Sequence, residues 1–345
     1  MNSVPLVEET RAGLIENIHS GMICGVNEKL ETVYHVGNQE HYTYYRSAAK
    51  PIQALPVFLL NVITKYGLTR EEAALFTASH RGETCHIAAL ESMLKKLPVN
   101  EDELFCPYSY PLNVEPREEM LRRNKEKRKL YHNCSGKHMG FITVCRELGY
   151  PIEGYWEVDH PLQQQILNIL SRLSEVPISE IKIGKDGCGV PVFAIPLKKM
   201  AMTYLKLACP DLIKDPLLQK TVTQMISIMN EHPIMVASEQ FICSLLLQDQ
   251  NIVAKGGAQG VYCFGLKKER LGFSLKVLNG SEEVWPIIVA AILEQIGYKN
   301  KDTINSLRAL KPYIIKNDAG AEVGTVYERF LLIGAHDEPA SNQEI

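Results

Sequence analysis

Two kinds of hydrophobic spacing divide this chain, and their order along it constrains the fold more than any other feature. Alternation of the kind a half-buried strand shows runs through IHSGMICGV, TVYHVGN and HYTYY, between Ile18 and Tyr45. It returns near the other end in NIVAKGG, GVYCFGLKK and RLGFSLKVLNG. Between them apolar residues recur at helical intervals, as in Ile52, Leu55, Phe58, Leu59, Val62 and Ile63, or Ile166, Ile169, Leu170 and Leu173. A strand cannot bury its face alone, so the two ends are expected to meet in one sheet with the middle inserted as a lobe. The predicted class is α/β, a mostly antiparallel sheet flanked by helices plus a mainly helical lobe. The expected boundaries are a sheet from about 15–46 and 250–345 and a lobe over about 47–249, within a single unit of 1–345.

Composition narrows the partners. The 345 residues suffice for a large core, and 46% hydrophobic with 22% charged content is ordinary for a globular chain. A net charge of -3 gives no basis for a nucleic-acid or membrane partner. The basic run from Arg117 to Lys129 is interrupted by Glu118, Glu119 and Glu126 and lacks aromatics to stack bases, so it reads as a solvated helix face. No apolar run reaches the ~20 residues of a membrane span, and MNSVPLVEETRAG lacks the basic and apolar regions of a leader. Nine cysteines, an odd number without regular spacing, argue against a disulfide framework. A reducing, cytoplasmic location is expected.

The chemistry begins in YYRSAAKPIQALP. Ser47 is placed to start a helix with Pro51 in its first turn, and Lys50 follows on the same face. A hydroxyl and an amine held at a helix N-terminus are the parts of a serine nucleophile with a lysine base. The same spacing occurs at Ser92/Lys95 and Ser179/Lys182, but only Ser47 opens a long buried helix. From these residues alone, an N-cap serine beside a surface lysine remains an equal alternative. Gly67 reads as the stop of that helix and Thr69 to Glu72 as a capping box. In the turn TASHRGE, Ser79 reads as a turn residue, an N-cap or a second hydroxyl. A polar loop, HNCSGKHMGF, is expected to lead into a helix from Phe141 that Gly149 ends, and Asp159-His160-Pro161 to cap another through Leu173. In KDGCGVPVFAIPL, Gly187 and Gly189 flank Cys188, a sign of unusual backbone angles or close approach to a ligand.

Taken in this order, RSAAKPIQALP, NCSGKHMG, DGCGVPVFAIPL and AKGGAQG resemble the rhizobial-type L-asparaginase family, over roughly Gly21 to Gly280. The resemblance implies a serine β-lactamase-like fold, as in glutaminases, and a single catalytic unit that hydrolyses the side-chain amide of L-asparagine. By residue match it implies catalytic roles for Ser47, Lys50, Ser79 and Lys255. It also implies one Zn²⁺ per chain near the site, on Cys134, Lys137 and Cys188, and a homodimer. The cysteine spacing alone makes no zinc motif, and His138 would be a more ordinary ligand than a lysine, which must be neutral to donate. A free amino acid also needs charge recognition, for which Arg46 suits the α-carboxylate and Asp186 the α-ammonium. Ser47 is the expected nucleophile and Lys50 its base.

Three other functions compete. A β-lactamase or penicillin-binding enzyme predicts S-x-N on a loop and K-T-G on a late strand; S-x-N is absent and Lys255-Gly256-Gly257 only partly imitates the second. A glutaminase differs by one methylene of substrate, worth only ~1–3 kcal/mol in a pocket. A non-catalytic zinc-binding module would keep Cys134 and Cys188 but has no use for Ser47, Lys50, Ser79 and Lys255.

Overall fold

The two alternating ends meet in one sheet. In the computed structural model, which describes residues 3–334, the strands of the first end are Val4–Arg11 (β1), Leu14–Asn27 (β2), Thr32–Val36 (β3) and Tyr42–Tyr44 (β4). A hairpin follows in the middle, Lys182–Lys185 (β5) and Pro191–Pro196 (β6). The last third supplies Ile252–Gly256 (β7), Val261–Leu266 (β8), Leu271–Val277 (β9), Ile314–Lys316 (β10), Glu322–Glu328 (β11) and Ile333–Gly334 (β12). Nine strands form one antiparallel sheet in the order β10-β11-β1-β2-β9-β8-β7, with β3 pairing β2 and β12. The seam between the ends is β2 on β9, from Gly21 opposite Val277 to Asn27 opposite Leu271. A second small sheet, β4-β6-β5, lies apart.

Period-two alternation explains why this sheet needs cover on both faces. On β8, Val261 and Cys263 join the core shared with the helical lobe, while Tyr262, Phe264 and Leu266 join a core on the opposite face. On β2, Met22, Cys24 and Val26 divide from Ile23 in the same way. The helix Leu197–Ala208 covers the lobe side so closely that a Cβ on Gly272 would lie 2.2 Å from the Ala201 carbonyl oxygen. Glycine is therefore required there by the approach of backbone to backbone. The helix Trp285–Gln295 covers the other side, with the Trp285 and Tyr262 rings 5.1 Å apart.

Several local expectations need correction. The sheet starts at Val4, upstream of the expected position 15, because β1 buries only Leu6 and Val7 among charged residues and shows little alternation. Beyond Trp285–Gln295 the chain adds the helix Lys301–Leu310 and three strands that the sequence pattern did not reveal. Positions 1–2 and 335–345, included in the expected unit, lie outside the described residues. The segment at HNCSGKHMGF is not a loop up to Phe141; the helix Ser135–Leu148 starts inside it, since Gly136 and Gly140 let that helix press on Leu75, Phe76 and Val57. Gly149 ends it in the left-handed conformation, as expected.

Ser47 does not cap a helix. Tyr45 is pinned to β6 by its N–H on the Phe193 carbonyl at 2.9 Å and by its hydroxyl on Thr203, also at 2.9 Å. The chain must then turn through Arg46, held at φ 50°, a left-handed conformation costly for a long side chain. A 3-10 turn, Arg46–Ala49, follows, and the α-helix proper is Lys50–Leu59 with Pro51 in its first turn. It stops at Leu60 and Asn61, with a short helical turn, Val62–Lys65, before Gly67.

Candidate active site

Three segments remote in sequence converge where that helix begins. Lys50 is fully buried at the first helical position. Its Nζ lies 2.6 Å from the Ala78 carbonyl, 3.1 Å from the Asn133 carbonyl and 2.8 Å from Ser79 Oγ. Ser79 leaves the 3-10 turn Leu75–Thr77 and is fixed by its N–H on the Val236 carbonyl at 2.8 Å. From the opposite side Lys255, on β7 and buried, brings Nζ to 2.9 Å from the same Ser79 Oγ and 2.9 Å from the Gly256 carbonyl. One hydroxyl thus sits between two buried amines.

Two ammonium groups cannot share so dry a space at low cost. Burial lowers the Lys255 pKa to about 8, with the Lys50 charge adding to the effect against the opposing influence of Cys243. Burial lowers Lys50 as well, while the sulfur of Cys134 counteracts it. Favouring one charged and one neutral lysine, this arrangement supplies a donor and an acceptor to a single serine.

Ser47, expected to pair with Lys50 across one turn, does not. Its side chain has no hydrogen bond among the described residues, and the hydroxyl that Lys50 meets is Ser79. The i, i+3 argument assumed α-helical geometry, whereas the 3-10 turn and left-handed Arg46 set Ser47 differently. Arg46 and Asp186, expected to bind opposite ends of a substrate, bind each other, Nε to Oδ1 at 2.7 Å. No sequence signal marks the Ala78 and Asn133 carbonyls that hold Lys50, because any residue offers such a group.

Cys134, Lys137 and Cys188 do come together, all buried. Lys137 Nζ lies 3.1 Å from Cys188 Sγ. A hydrogen bond from Cys188 pulls the Cys134 thiol well down despite burial, and the same bond pushes Cys188 up, so the two sulfurs hold one proton between them. Lys137 resists burial and keeps its proton because Cys188, Cys134 and Asp186 surround it. A soft dication fits this donor set: it would replace the shared proton on the sulfurs and remove the negative charge that keeps Lys137 protonated. The neighbouring His138 has Nδ1 2.7 Å from the Tyr155 hydroxyl, while its Nε2 is buried without a hydrogen-bond partner among the described residues. A second cluster, Glu83, Cys85 and His86, fits an ion less well. Both His86 nitrogens are taken there, by the Glu83 N–H at 3.1 Å and the Ile234 carbonyl at 3.0 Å.

The sequence matches the profile of a family described as L-asparaginase II over residues 7–327. No curated protein matches it. Among solved structures, a candidate β-lactamase from Bacteroides dorei is similar at 12% identity and TM-score 0.43, covering 79% of this chain and 93% of that one. A Bacillus glutaminase is similar at 11% identity and TM-score 0.39, covering 80% and 91%. A β-lactamase from Mycobacterium bovis is similar at 12% identity and TM-score 0.38, covering 80% and 94%.

Proposed function

The chain belongs to the L-asparaginase II family, and from that premise we propose that it is an amidohydrolase converting L-asparagine to L-aspartate and ammonia through a serine activated by lysine. The observation that carries this is the Ser79 hydroxyl held 2.8 Å from Lys50 and 2.9 Å from Lys255. Neutral Lys255 takes the Ser79 proton as Oγ attacks the side-chain amide carbon. Lys50, charged and braced by two carbonyls, donates to Oγ and steadies the developing negative charge. As the tetrahedral intermediate collapses, Lys255 returns the proton to the departing nitrogen, which leaves as ammonia. Water then attacks the ester on Ser79 by the same steps in reverse. Arg46 receives the α-carboxylate, oriented by its bond to Asp186.

A second arrangement makes Ser47 the nucleophile and Ser79 the relay that passes its proton to lysine. Its support is the Ser47 hydroxyl, unengaged beside strained Arg46. Glutaminase and β-lactamase-type activity are the alternatives in substrate. Measuring ammonia release from asparagine and glutamine, together with turnover of a chromogenic β-lactam, separates them. Fastest hydrolysis of asparagine is the expected result, and β-lactam turnover without ammonia release would refute an asparaginase.

Cys134, Lys137 and Cys188 would hold the zinc ion, which when bound supplies fixed positive charge beside the substrate site. Elemental analysis is expected to find one Zn²⁺ per chain, and Cys188→Ser to lose it. Such thiols require a reducing compartment, in keeping with a cytoplasmic enzyme. No helix among the described residues is long and apolar enough to cross a membrane. We further propose a homodimer, for which the first half of β2 offers exposed Leu14, Ile15 and Ile18.

A further inference from the structure

A free amino acid presents an α-carboxylate and an α-ammonium a bond or two apart, so its site needs an accessible anion as well as a cation. Asp186 is poorly suited to be that anion. One of its oxygens is held by Arg46 at 2.7 Å, the other faces Cys188 Sγ at 3.9 Å, and only 12% of its side chain is exposed. Arg46 in contrast commits only Nε to that pair, leaving its terminal nitrogens available.

We propose that Glu282 receives the α-ammonium group of the substrate and so makes the site select free amino acids over simple amides. This rests on the amidohydrolase function proposed above. Glu282 lies just ahead of the helix Trp285–Gln295, on an exposed turn. The turn that leaves β7 after Lys255 ties it to the catalytic strand. Gly257 lets that turn pass against Tyr45 and Arg46, where a Cβ would meet the Tyr45 carbonyl oxygen at 2.4 Å. Gln259, at φ 62°, then aims its N–H at Glu282 Oε1, 3.3 Å away.

Oε2 has no hydrogen-bond partner among the described residues. The cations that act most on this carboxylate are Lys255, then Arg81 and Arg46. Burial of the carboxyl opposes these cations and raises its pKa, the sign of a carboxylate short of hydrogen bonds. An ammonium supplies those bonds. Arg81 is itself restrained, with Nε on Asn113 Oδ1 at 2.6 Å and its guanidinium 4.8 Å from the Phe241 ring centre. An amino acid held between Arg46 and Glu282 would have both charged ends matched.

Steady-state ammonia release by wild type, Glu282→Gln and Glu282→Asp tests this, with L-asparagine and with succinamic acid, which lacks the α-amine. Rates are taken on the alkaline plateau so that a changed Lys255 does not enter. In Glu282→Gln the ratio of kcat/KM for asparagine over succinamic acid is expected to fall about tenfold, mainly through KM, as when a hydrogen bond to a charged group is removed. Glu282→Asp, which keeps the charge, is expected to recover part of that ratio. An unchanged ratio in Glu282→Gln, or an equal loss on both substrates, would overturn the assignment while leaving the hydrolase intact. Wild-type protein that releases ammonia from neither compound would overturn the proposed function and this assignment with it.

Discussion

A lysine accepts a proton only when neutral, and Lys255, with a pKa lowered to about 8, is half neutral at that pH. Below it the base is protonated and idle, so kcat/KM for asparagine is expected to rise with pH through about 8 and level off above. The Lys50 charge contributes to that lowering, so Lys50→Met is expected to move the acidic limb to higher pH in its residual activity. An unmoved limb would mean that Lys50 is not the charged partner. Lys255→Arg is expected to be inactive at every accessible pH, because a guanidinium cannot accept the proton. At this scale the sequence was legible in part. The types of residue and their match to family motifs brought Ser79 and Lys255 forward, but nothing local distinguished Ser79 from an ordinary turn serine. Its place between the two lysines comes from a strand and a turn 176 positions apart in sequence being packed together.

Local signals were most readable where an element's end is satisfied by its own neighbours. Thr69 accepts the Glu72 N–H while Glu72 accepts the Thr69 N–H, a reciprocal cap written entirely in four residues. Thr69→Ala is expected to cost about 1 kcal/mol of stability in denaturant unfolding and to leave turnover unchanged; lost activity at full stability would instead implicate this turn in catalysis. The start at Ser47 was misread for the opposite reason. Its geometry is imposed by Tyr45 bonding to Phe193 and Thr203, partners far along the chain, and the left-handed Arg46 that results leaves no trace in residue type. Similarly, β1 is a strand because β2 and β11 pair with it on either side, not because its own residues alternate.

Across the molecule, the alternating ends sufficed to foretell one antiparallel sheet with a helical insertion, because burial on a pleated surface leaves a period of two. The arm of β10, β11 and β1 escaped notice, being half-exposed and so under weak patterning. The exposed first half of β2, which pairs with that arm through β1, bears on assembly: sedimentation is expected to show a dimer, and Ile15→Glu with Ile18→Glu to shift it toward monomer. A monomeric wild type at micromolar concentration would refute it. The sheet and lobe serve chiefly to press Lys255, Ser79 and Lys50 together from three directions. The most direct test of that claim compares ammonia release from asparagine by Ser79→Ala, Ser47→Ala and wild type, with folding verified by circular dichroism. Ser79→Ala is predicted to lose on the order of a thousandfold or more in kcat with its fold intact, and more than Ser47→Ala loses. Near-normal turnover in Ser79→Ala would contradict a mechanism centred on the hydroxyl between the two lysines.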